Sequence, residues 1–145
     1  EPIGDNVCVI RTSIIGHELN TSVSLLDWFL QSNQKVSGYV NAVFSGLPTI
    51  VLARMIAEYV IPYPSLNGLF NLSASPISKF ELLHLINDNF DLGLIINDNK
   101  TVISNKTLNA SKIEKVIGFQ PPSWDELIFE LKKDYMNFID LYKTI

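Results

Sequence analysis

Apolar residues recur along this chain in two alternating patterns, one typical of strands and the other of helices. The first apolar run, residues 7–10, is continuous and rich in β-branched side chains, which is typical of a strand covered on both faces. The next pattern has helical spacing and predicts a helix of about three turns. Its predicted N-cap lies within residues 20–22, and its inward stripe is Val23, Leu26, Phe29 and Leu30.

The middle of the chain continues this alternation. Residues 35–44 predict an extended segment that enters a turn at residues 45–48. Thr49 is predicted to cap a helix that Pro62 and Pro64 end. Its predicted inward side chains are Val51, Leu52, Met55, Ile56, Tyr59 and Val60. A short strand is predicted at residues 69–72.

Three Ser-x-x-Glu capping boxes predict the starts of three more helices. They pair Ser78 with Glu81, Ser111 with Glu114, and Ser123 with Glu126. The first helix has an apolar face and precedes a short strand at residues 94–96. The second covers residues 113–117 and ends at Gly118. The third carries the longest stripe, which is Trp124, Leu127, Ile128, Leu131, Tyr135, Phe138, Ile139 and Tyr142.

Together these elements predict an α/β fold in one domain. The chain has 145 residues, of which 47% are hydrophobic and 18% charged, enough to enclose a core. The net charge of −4 and the lack of a basic block argue against a nucleic-acid surface. The most apolar window, residues 42–61, contains Pro48, Arg54 and Glu58, so we expect no membrane segment.

Cysteine and histidine usage adds two expectations. Cys8 is the only cysteine, which excludes an intrachain disulfide and predicts a reducing, cytoplasmic location. His17 and His84 are far apart in sequence, and no spacing supplies a third ligand, so no metal site is predicted. No glycine-rich phosphate loop, nucleophile elbow or Cys-x-x-Cys is present. We therefore expect no autonomous nucleotide site.

Four ordered stretches resemble the extended short-chain dehydrogenases that act on nucleotide sugars, and most closely the dTDP-4-dehydrorhamnose reductase branch. The first is Arg-Thr-Ser at residues 11–13, followed by a glycine at residue 16. The second is the Gly-Leu-Pro-Thr turn at residues 46–49. The others are Gly-Leu-Phe-Asn-Leu-Ser with Ile-Ser-Lys-Phe-Glu-Leu-Leu at residues 68–83, and the closing segment at residues 108–124.

This resemblance implies the carboxyl-terminal part of a Rossmann-type NAD(P)-binding fold with a small mixed α/β lobe. Residues 1–34 would be the trailing Rossmann strand and helix, and residues 35–145 the substrate-binding lobe of a single incomplete domain. The glycine-rich loop and the catalytic Tyr-x-x-x-Lys pair would belong to a missing amino-terminal half. We therefore expect the first strand to expose an apolar edge at Val7, Val9 and Ile10, which favours self-association.

The implied function is the substrate-binding half of an NAD(P)-dependent nucleotide-sugar reductase in deoxysugar or cell-surface polysaccharide synthesis. This chain alone is expected to be inactive and to bind neither NAD nor NADP tightly. The alternatives are a nucleotide-sugar epimerase or dehydratase, and a non-catalytic regulatory or binding member of the same fold. The implied partners are a nucleotide-diphosphate sugar and the missing half.

The resemblance also assigns site residues. Thr12, Ser13 and Ile14 would contact the cofactor, because they follow a parallel strand at its carboxyl end. The substrate would contact Arg11, Gly46, Pro48, Thr49 and Lys106.

Each of these residues also has a structural interpretation. Thr12 and Ser13 could satisfy backbone groups, Arg11 could be a buried pairing residue, and residues 46–49 could simply be a turn and an N-cap. Trp124 is assigned to the core. If the site exists, segments 12–16 and 46–49 should face each other across a cleft made electropositive by Arg11, Lys79 or Lys106.

Overall fold

The computed structural model describes residues 6–18, 21 and 23–143, with side chains up to Asn137. Two residues of the predicted first N-cap, Asn20 and Ser22, lie outside this part of the chain. So do the side chains of Phe138, Ile139 and Tyr142, which the sequence assigns to the last helical stripe.

Nine short strands and five α-helices make up the described part of the chain. The strands are β1 (Cys8–Arg11), β2 (Ile14–Ile15), β3 (Lys35–Tyr39), β4 (Ala42–Phe44), β5 (Leu47–Pro48), β6 (Gly68–Asn71), β7 (Ile77–Ser78), β8 (Ile95–Asn99) and β9 (Ser104–Lys106). The helices are α1 (Leu25–Leu30), α2 (Thr49–Met55), α3 (Lys79–Phe90), α4 (Ser111–Ile117) and α5 (Trp124–Lys143). A π-helical turn, Ile56–Val60, continues α2.

Most of the strand pairs are parallel. β1 pairs with β6, β2 with β5 and β3 with β8, all in parallel. β4 pairs with β9 in parallel and with β7 in antiparallel orientation. Because helices lie between strands that pair in parallel, the predicted α/β class is confirmed.

The apolar side chains form two adjoining buried clusters. One contains Leu47, Val51, Met55, Leu66, Phe70, Leu72, Ala74, Ala110, Ile113, Ile117, Phe119 and Leu127. The other contains Ile15, Leu26, Phe29, Val36, Ile77, Leu82, Leu83, Ile86, Ile128 and Leu131. Trp124 packs against both, and its indole Nε1 donates to the Ser75 carbonyl at 2.8 Å. Its assignment to the core is therefore supported.

The first helix begins later than predicted. Its N-cap is Ser24, whose hydroxyl accepts a hydrogen bond from Asp27 N at 3.1 Å. Val23, predicted to face inward, is 83% exposed because it lies outside the helix. Thr21, the one described residue of the predicted N-cap, instead donates its hydroxyl to the Glu18 carboxylate.

Two predictions for the second helix, its N-cap at Thr49 and its inward-facing Tyr59, also differ from the structure. Pro48 occupies the N-cap of α2, so Thr49 is the first helical residue and its side chain caps nothing. The π-helical turn widens the hydrogen-bond spacing, as Ile61 N donates to Ile56 O at 2.9 Å. Tyr59, predicted to face inward, lies in this turn and is 36% exposed, with its ring edge-on to that of Phe119 at a centroid distance of 5.9 Å.

The three capping boxes have different outcomes. At Ser78, the hydroxyl accepts from Glu81 N at 3.1 Å and the Glu81 carboxylate accepts from Ser78 N at 3.0 Å. The box at Ser123 and Glu126 is also formed. The capping box predicted at Ser111 and Glu114 is wrong, because Ala110 is the N-cap of α4 and Ser111 is already helical. There Asn109 Oδ1 accepts from Ser111 N at 2.9 Å, and this turn replaces the box.

β1 has a neighbour on one side only within the described residues. It pairs with β6, while Cys8 and Ile10 pack partly against the core. Ile10 is therefore partly covered. Self-association through the other edge stays a prediction.

We predict that Ser78→Ala lowers the free energy of unfolding by about 1 kcal/mol, because it removes an N-cap from a twelve-residue helix. Ser111→Ala is the matched control and should leave stability nearly unchanged, because the Ser111 side chain makes no cap. Urea denaturation of both variants measures the difference. Equal losses would contradict the assignment of the caps.

Candidate functional site

The carboxyl ends of two parallel strands meet at one edge of the fold. Arg11, the last residue of β1, lies beside Asn71, the last residue of β6. Thr12 and Ser13 follow β1 directly. Ligands of open α/β sheets bind at this kind of edge, so the predicted cofactor segment occupies a suitable position.

The two predicted site segments are neighbouring strands. Ile14 pairs with Leu47 and Ile15 pairs with Pro48 in parallel register. In addition, Leu47 N donates to Ser13 O at 2.9 Å. The segments therefore touch directly, and the expectation of a cleft between them is wrong.

Two glycines make this close approach feasible. A Cβ atom on Gly46 would lie 2.7 Å from Phe44 Cε2 and 3.0 Å from Ser13 O. A Cβ atom on Gly16 would lie 2.7 Å from Thr49 Oγ1 and 3.1 Å from Thr49 Cγ2. Any larger residue at either position would separate the strands or displace Thr49.

A cavity of about 330 Å³ lies beside this strand pair. Its walls come from three parts of the chain, namely the segment after β1, the start of α1, and the β4–β5 region. They consist of Ile14, Ile15, Gly16, His17, Glu18, Ser24, Leu25, Leu26, Phe44 and Thr49. None of these lining residues is Lys or Arg. The expected electropositive cleft is therefore not this cavity, whose lining carries a carboxylate instead.

His17 joins the cavity wall to two helices. Its side chain is 3% exposed, and Nδ1 donates to Asp27 Oδ1 of α1 at 2.6 Å. Its ring stacks on the ring of Tyr135 in α5, with centroids 4.2 Å apart. The second Asp27 oxygen accepts from Glu18 N at 2.9 Å and from the Ser24 hydroxyl at 2.8 Å.

The Glu18 carboxylate also stabilises the loop between β2 and α1. Its Oε2 accepts from the Thr21 hydroxyl, from Val23 N at 2.8 Å and from Ser24 N at 3.0 Å. The Thr21 hydroxyl, followed by these backbone N–H groups, lowers the pKa of the Glu18 carboxyl. Glu18 is therefore an ionised loop anchor at neutral pH.

Two buried serines, Ser45 and Ser73, connect the Gly46 turn to other parts of the chain by hydrogen bonds. Ser45 is 1% exposed, and its hydroxyl accepts from Leu108 N at 2.8 Å. Ser73 is 2% exposed, and its hydroxyl donates to Leu108 O at 3.0 Å. Ala74 N also donates to Ser45 O at 2.9 Å. The turn is thereby fixed to the end of β6 and to the segment after β9.

The predicted site residues divide into three groups. Ile14, which is 59% exposed, and Thr49 both line the cavity. Thr12, Ser13, Gly46 and Pro48 form the backbone framework beside it. The Thr12 hydroxyl donates to Ser13 O at 3.2 Å, as its structural interpretation expects.

The three predicted cations, Arg11, Lys79 and Lys106, are all absent from the lining of the cavity. Arg11 is exposed at the end of β1, which contradicts the burial that its structural interpretation expects. Lys106 is exposed on β9, paired in register with Phe44. Phe44 is itself a cavity residue, so Lys106 lies one strand away from the wall.

Several lining residues were missed by the sequence reasoning. His17 and Glu18 were visible as a polar pair after a glycine, but a partner ten residues away at Asp27 has no recognisable spacing. Phe44 was assigned only to an extended segment. Its role follows from its contact with the Gly46 turn, which no local pattern predicts.

Solved structures of nucleotide-sugar enzymes share this architecture. A dTDP-4-dehydrorhamnose reductase from Bacillus anthracis, solved with NADP, is 19% identical, with a TM-score of 0.72 over 89% of this chain and 48% of that chain. A UDP-N-acetylglucosamine 4-epimerase from Bacillus cereus is 17% identical, with a TM-score of 0.69 over 89% of this chain and 48% of that chain. A GDP-L-fucose synthetase from Naegleria fowleri bound to NADP is 17% identical, with a TM-score of 0.69 over 92% of this chain and 45% of that chain.

The chain has the fold of about half of such an enzyme. It spans about half the length of the solved structures that it matches. The fold predicted from the resemblance is therefore confirmed. Comparisons of the sequence with protein-family models and with curated proteins found no match.

Among the helices of the described residues, none is both long and apolar enough to cross a bilayer.

We predict that Gly16→Ala destabilises the protein, because its Cβ atom meets the Thr49 side chain at 2.7 Å. Thr49→Ala removes Oγ1 and Cγ2, so it should restore much of the loss when combined with Gly16→Ala. Thermal unfolding of the single and double variants measures this coupling. Additive effects would contradict the close contact between Gly16 and Thr49.

Proposed function

We propose that this chain provides the substrate-binding half of an NAD(P)-dependent nucleotide-sugar reductase. The observation that carries the proposal is the structural match to several nucleotide-sugar enzymes over about nine-tenths of the chain, with TM-scores near 0.7. A cavity of about 330 Å³ at the carboxyl ends of the strands supports it.

The proposed reaction transfers a hydride from C4 of the nicotinamide to a keto carbon of the sugar, and a proton to its oxygen. This sequence contains neither a glycine-rich phosphate loop nor a Tyr-x-x-x-Lys pair. In the proposed enzyme, the other half supplies both groups. The contribution of this chain is to bind and orient the sugar.

The residues of the cavity suit the sugar part of such a substrate. Ile14 and Phe44 offer apolar surface, while the Thr49 hydroxyl and the Glu18 carboxylate offer groups that bind sugar hydroxyls. The segment Thr12, Ser13 and Ile14 is proposed to contact the cofactor, because it follows β1 at its carboxyl end.

A diphosphate needs cations that the cavity itself does not contain. Arg11 is exposed at the end of β1, directly before the segment that leads into the cavity wall. Lys106 is exposed at the end of β9 and pairs in register with the cavity residue Phe44. We assign the diphosphate to these side chains, outside the sugar cavity. Gly46 and Pro48 contribute by shaping the wall, because both are buried.

The solved structures named above are a reductase, a synthetase and an epimerase, and two of them contain NADP. We therefore do not propose the non-catalytic role. Net NADPH oxidation in the presence of a 4-keto sugar identifies a reductase. Interconversion of sugars without net NADPH consumption identifies an epimerase instead.

In the complete enzyme, we predict that Thr49→Ala and Lys106→Ala raise KM for the nucleotide sugar more than KM for NADPH. The Lys106 variant should lose its effect at high salt, because an exposed charge is screened. Thr101→Ala is a matched control, since Thr101 is exposed and bonds only with Asn99 in the described contacts. Equal changes in the two KM values would contradict the assignment.

The isolated 145-residue chain is predicted to bind NADPH no more tightly than the millimolar range, because it has no phosphate loop. Isothermal titration calorimetry measures this directly. Micromolar binding of NADPH by the chain alone would overturn the proposed division between two halves.

A further inference from the structure

His17 is a buried polar side chain to which the proposed reaction gives no role. Buried histidines need polar partners, and His17 has one in Asp27 at 2.6 Å. The ring also stacks on Tyr135, which belongs to the last helix. One side chain therefore connects the cavity wall with α1 and α5.

The Asp27 carboxylate accepts hydrogen bonds from both the beginning and the end of the loop between β2 and α1. Its two oxygens accept from the His17 ring, the Glu18 backbone and the Ser24 hydroxyl. Hydrogen bonds to an ionised group are stronger than neutral ones, so this carboxylate fixes the segment more firmly than neutral contacts would. Glu18, His17 and Ser24 are also cavity residues, so the fixed segment is the wall itself.

Helix capping alone does not account for this arrangement. The Ser24 hydroxyl already accepts from Asp27 N and caps α1. The bond from His17 to Asp27 adds nothing to the cap, since it reaches back to the segment that follows β2. Packing on Tyr135 would be satisfied by an apolar ring of the same size.

We propose that His17 and Asp27 are positioning residues, which hold segment 16–18 in place as a wall of the cavity before a ligand arrives. A wall that is already ordered spares the ligand the entropic cost of ordering it. This inference rests on the proposed function, because the ligand is taken to be a nucleotide-diphosphate sugar. It adds two residues to the site that do not themselves react.

Two substitutions of His17 separate its hydrogen bond from its ring. His17→Phe keeps a ring against Tyr135 and removes the donor to Asp27. His17→Asn keeps an N–H donor two bonds from Cβ, as Nδ1 is, and removes the ring. His84→Phe is the matched control, because His84 lies on α3 against Phe80 and outside this cavity.

The first measurement is amide hydrogen exchange in the 145-residue chain. In His17→Phe, the amides of Glu18, Val23 and Ser24 should exchange about tenfold faster, the change expected from one hydrogen bond to a charged group. Asp27→Asn should give the same pattern. Core amides on α3, such as that of Ile86, should exchange at the wild-type rate. Unchanged exchange at the three loop amides overturns the inference.

The second measurement is calorimetric binding of a thymidine diphosphate sugar to the same variants. His17→Phe should weaken binding about tenfold, His17→Asn should recover most of this loss, and His84→Phe should bind as the wild type does. Faster exchange with unchanged affinity means that the pair is purely structural, which overturns the inference. If His17→Phe does not fold, Asp27→Asn and His17→Asn decide between these outcomes.

The two measurements also separate this inference from the proposed function. If the wild-type chain binds no nucleotide sugar while His17→Phe accelerates the loop amides, the assignment of the ligand fails and the positioning of the wall stands. If the wild type binds and His17→Phe binds equally well, the inference fails and the proposed function stands.

Discussion

The pairing of β2 with β5 is the contact on which the candidate site depends. Two residues from each strand are joined in parallel, and Ser13 O accepts from Leu47 N one step earlier. This brings the segment after β1 against the turn before α2, although about thirty residues separate them. The glycines at 16 and 46 are required at this point, because a Cβ atom at either would meet Thr49 or Phe44.

Carboxylates in this region are used mainly to organise backbone. Asp27 and Glu18 accept hydrogen bonds from both ends of the loop between β2 and α1. Their oxygens accept from backbone N–H groups, from hydroxyls and, at Asp27, from the His17 ring. No Lys or Arg is among the lining residues of the cavity, and the exposed cations Arg11 and Lys106 are the last residues of β1 and β9.

Local patterns predicted the parts of the fold that depend on local interactions. The capping boxes at Ser78 and Ser123 formed because serine, glutamate and an apolar period occur together within one turn. The Ser111 box failed because Asn109, two residues earlier, makes a competing turn. Val23 fitted a helical period but lies before the cap that Ser24 supplies.

The site was harder to predict because its contacts are distant in sequence. Strand ends at Thr12 and the turn at Gly46 could be located, since each has a local signature. Their direct pairing, and the link from His17 to Asp27 and Tyr135, depend on how three elements pack. No periodicity encodes such a link. The family resemblance predicted the fold, whereas the residues that line the cavity could be identified only from the structure.

The cavity beside the β2–β5 pair is proposed to bind the sugar nucleotide, and this is the central claim. An NMR titration of the 145-residue chain with a thymidine diphosphate sugar tests it most directly. We expect the amide resonances of residues 14–18 and of Thr49 to shift together and to saturate with one affinity. Shifts confined to the groove between α2 and α5, around Arg54 and Phe129, would contradict it.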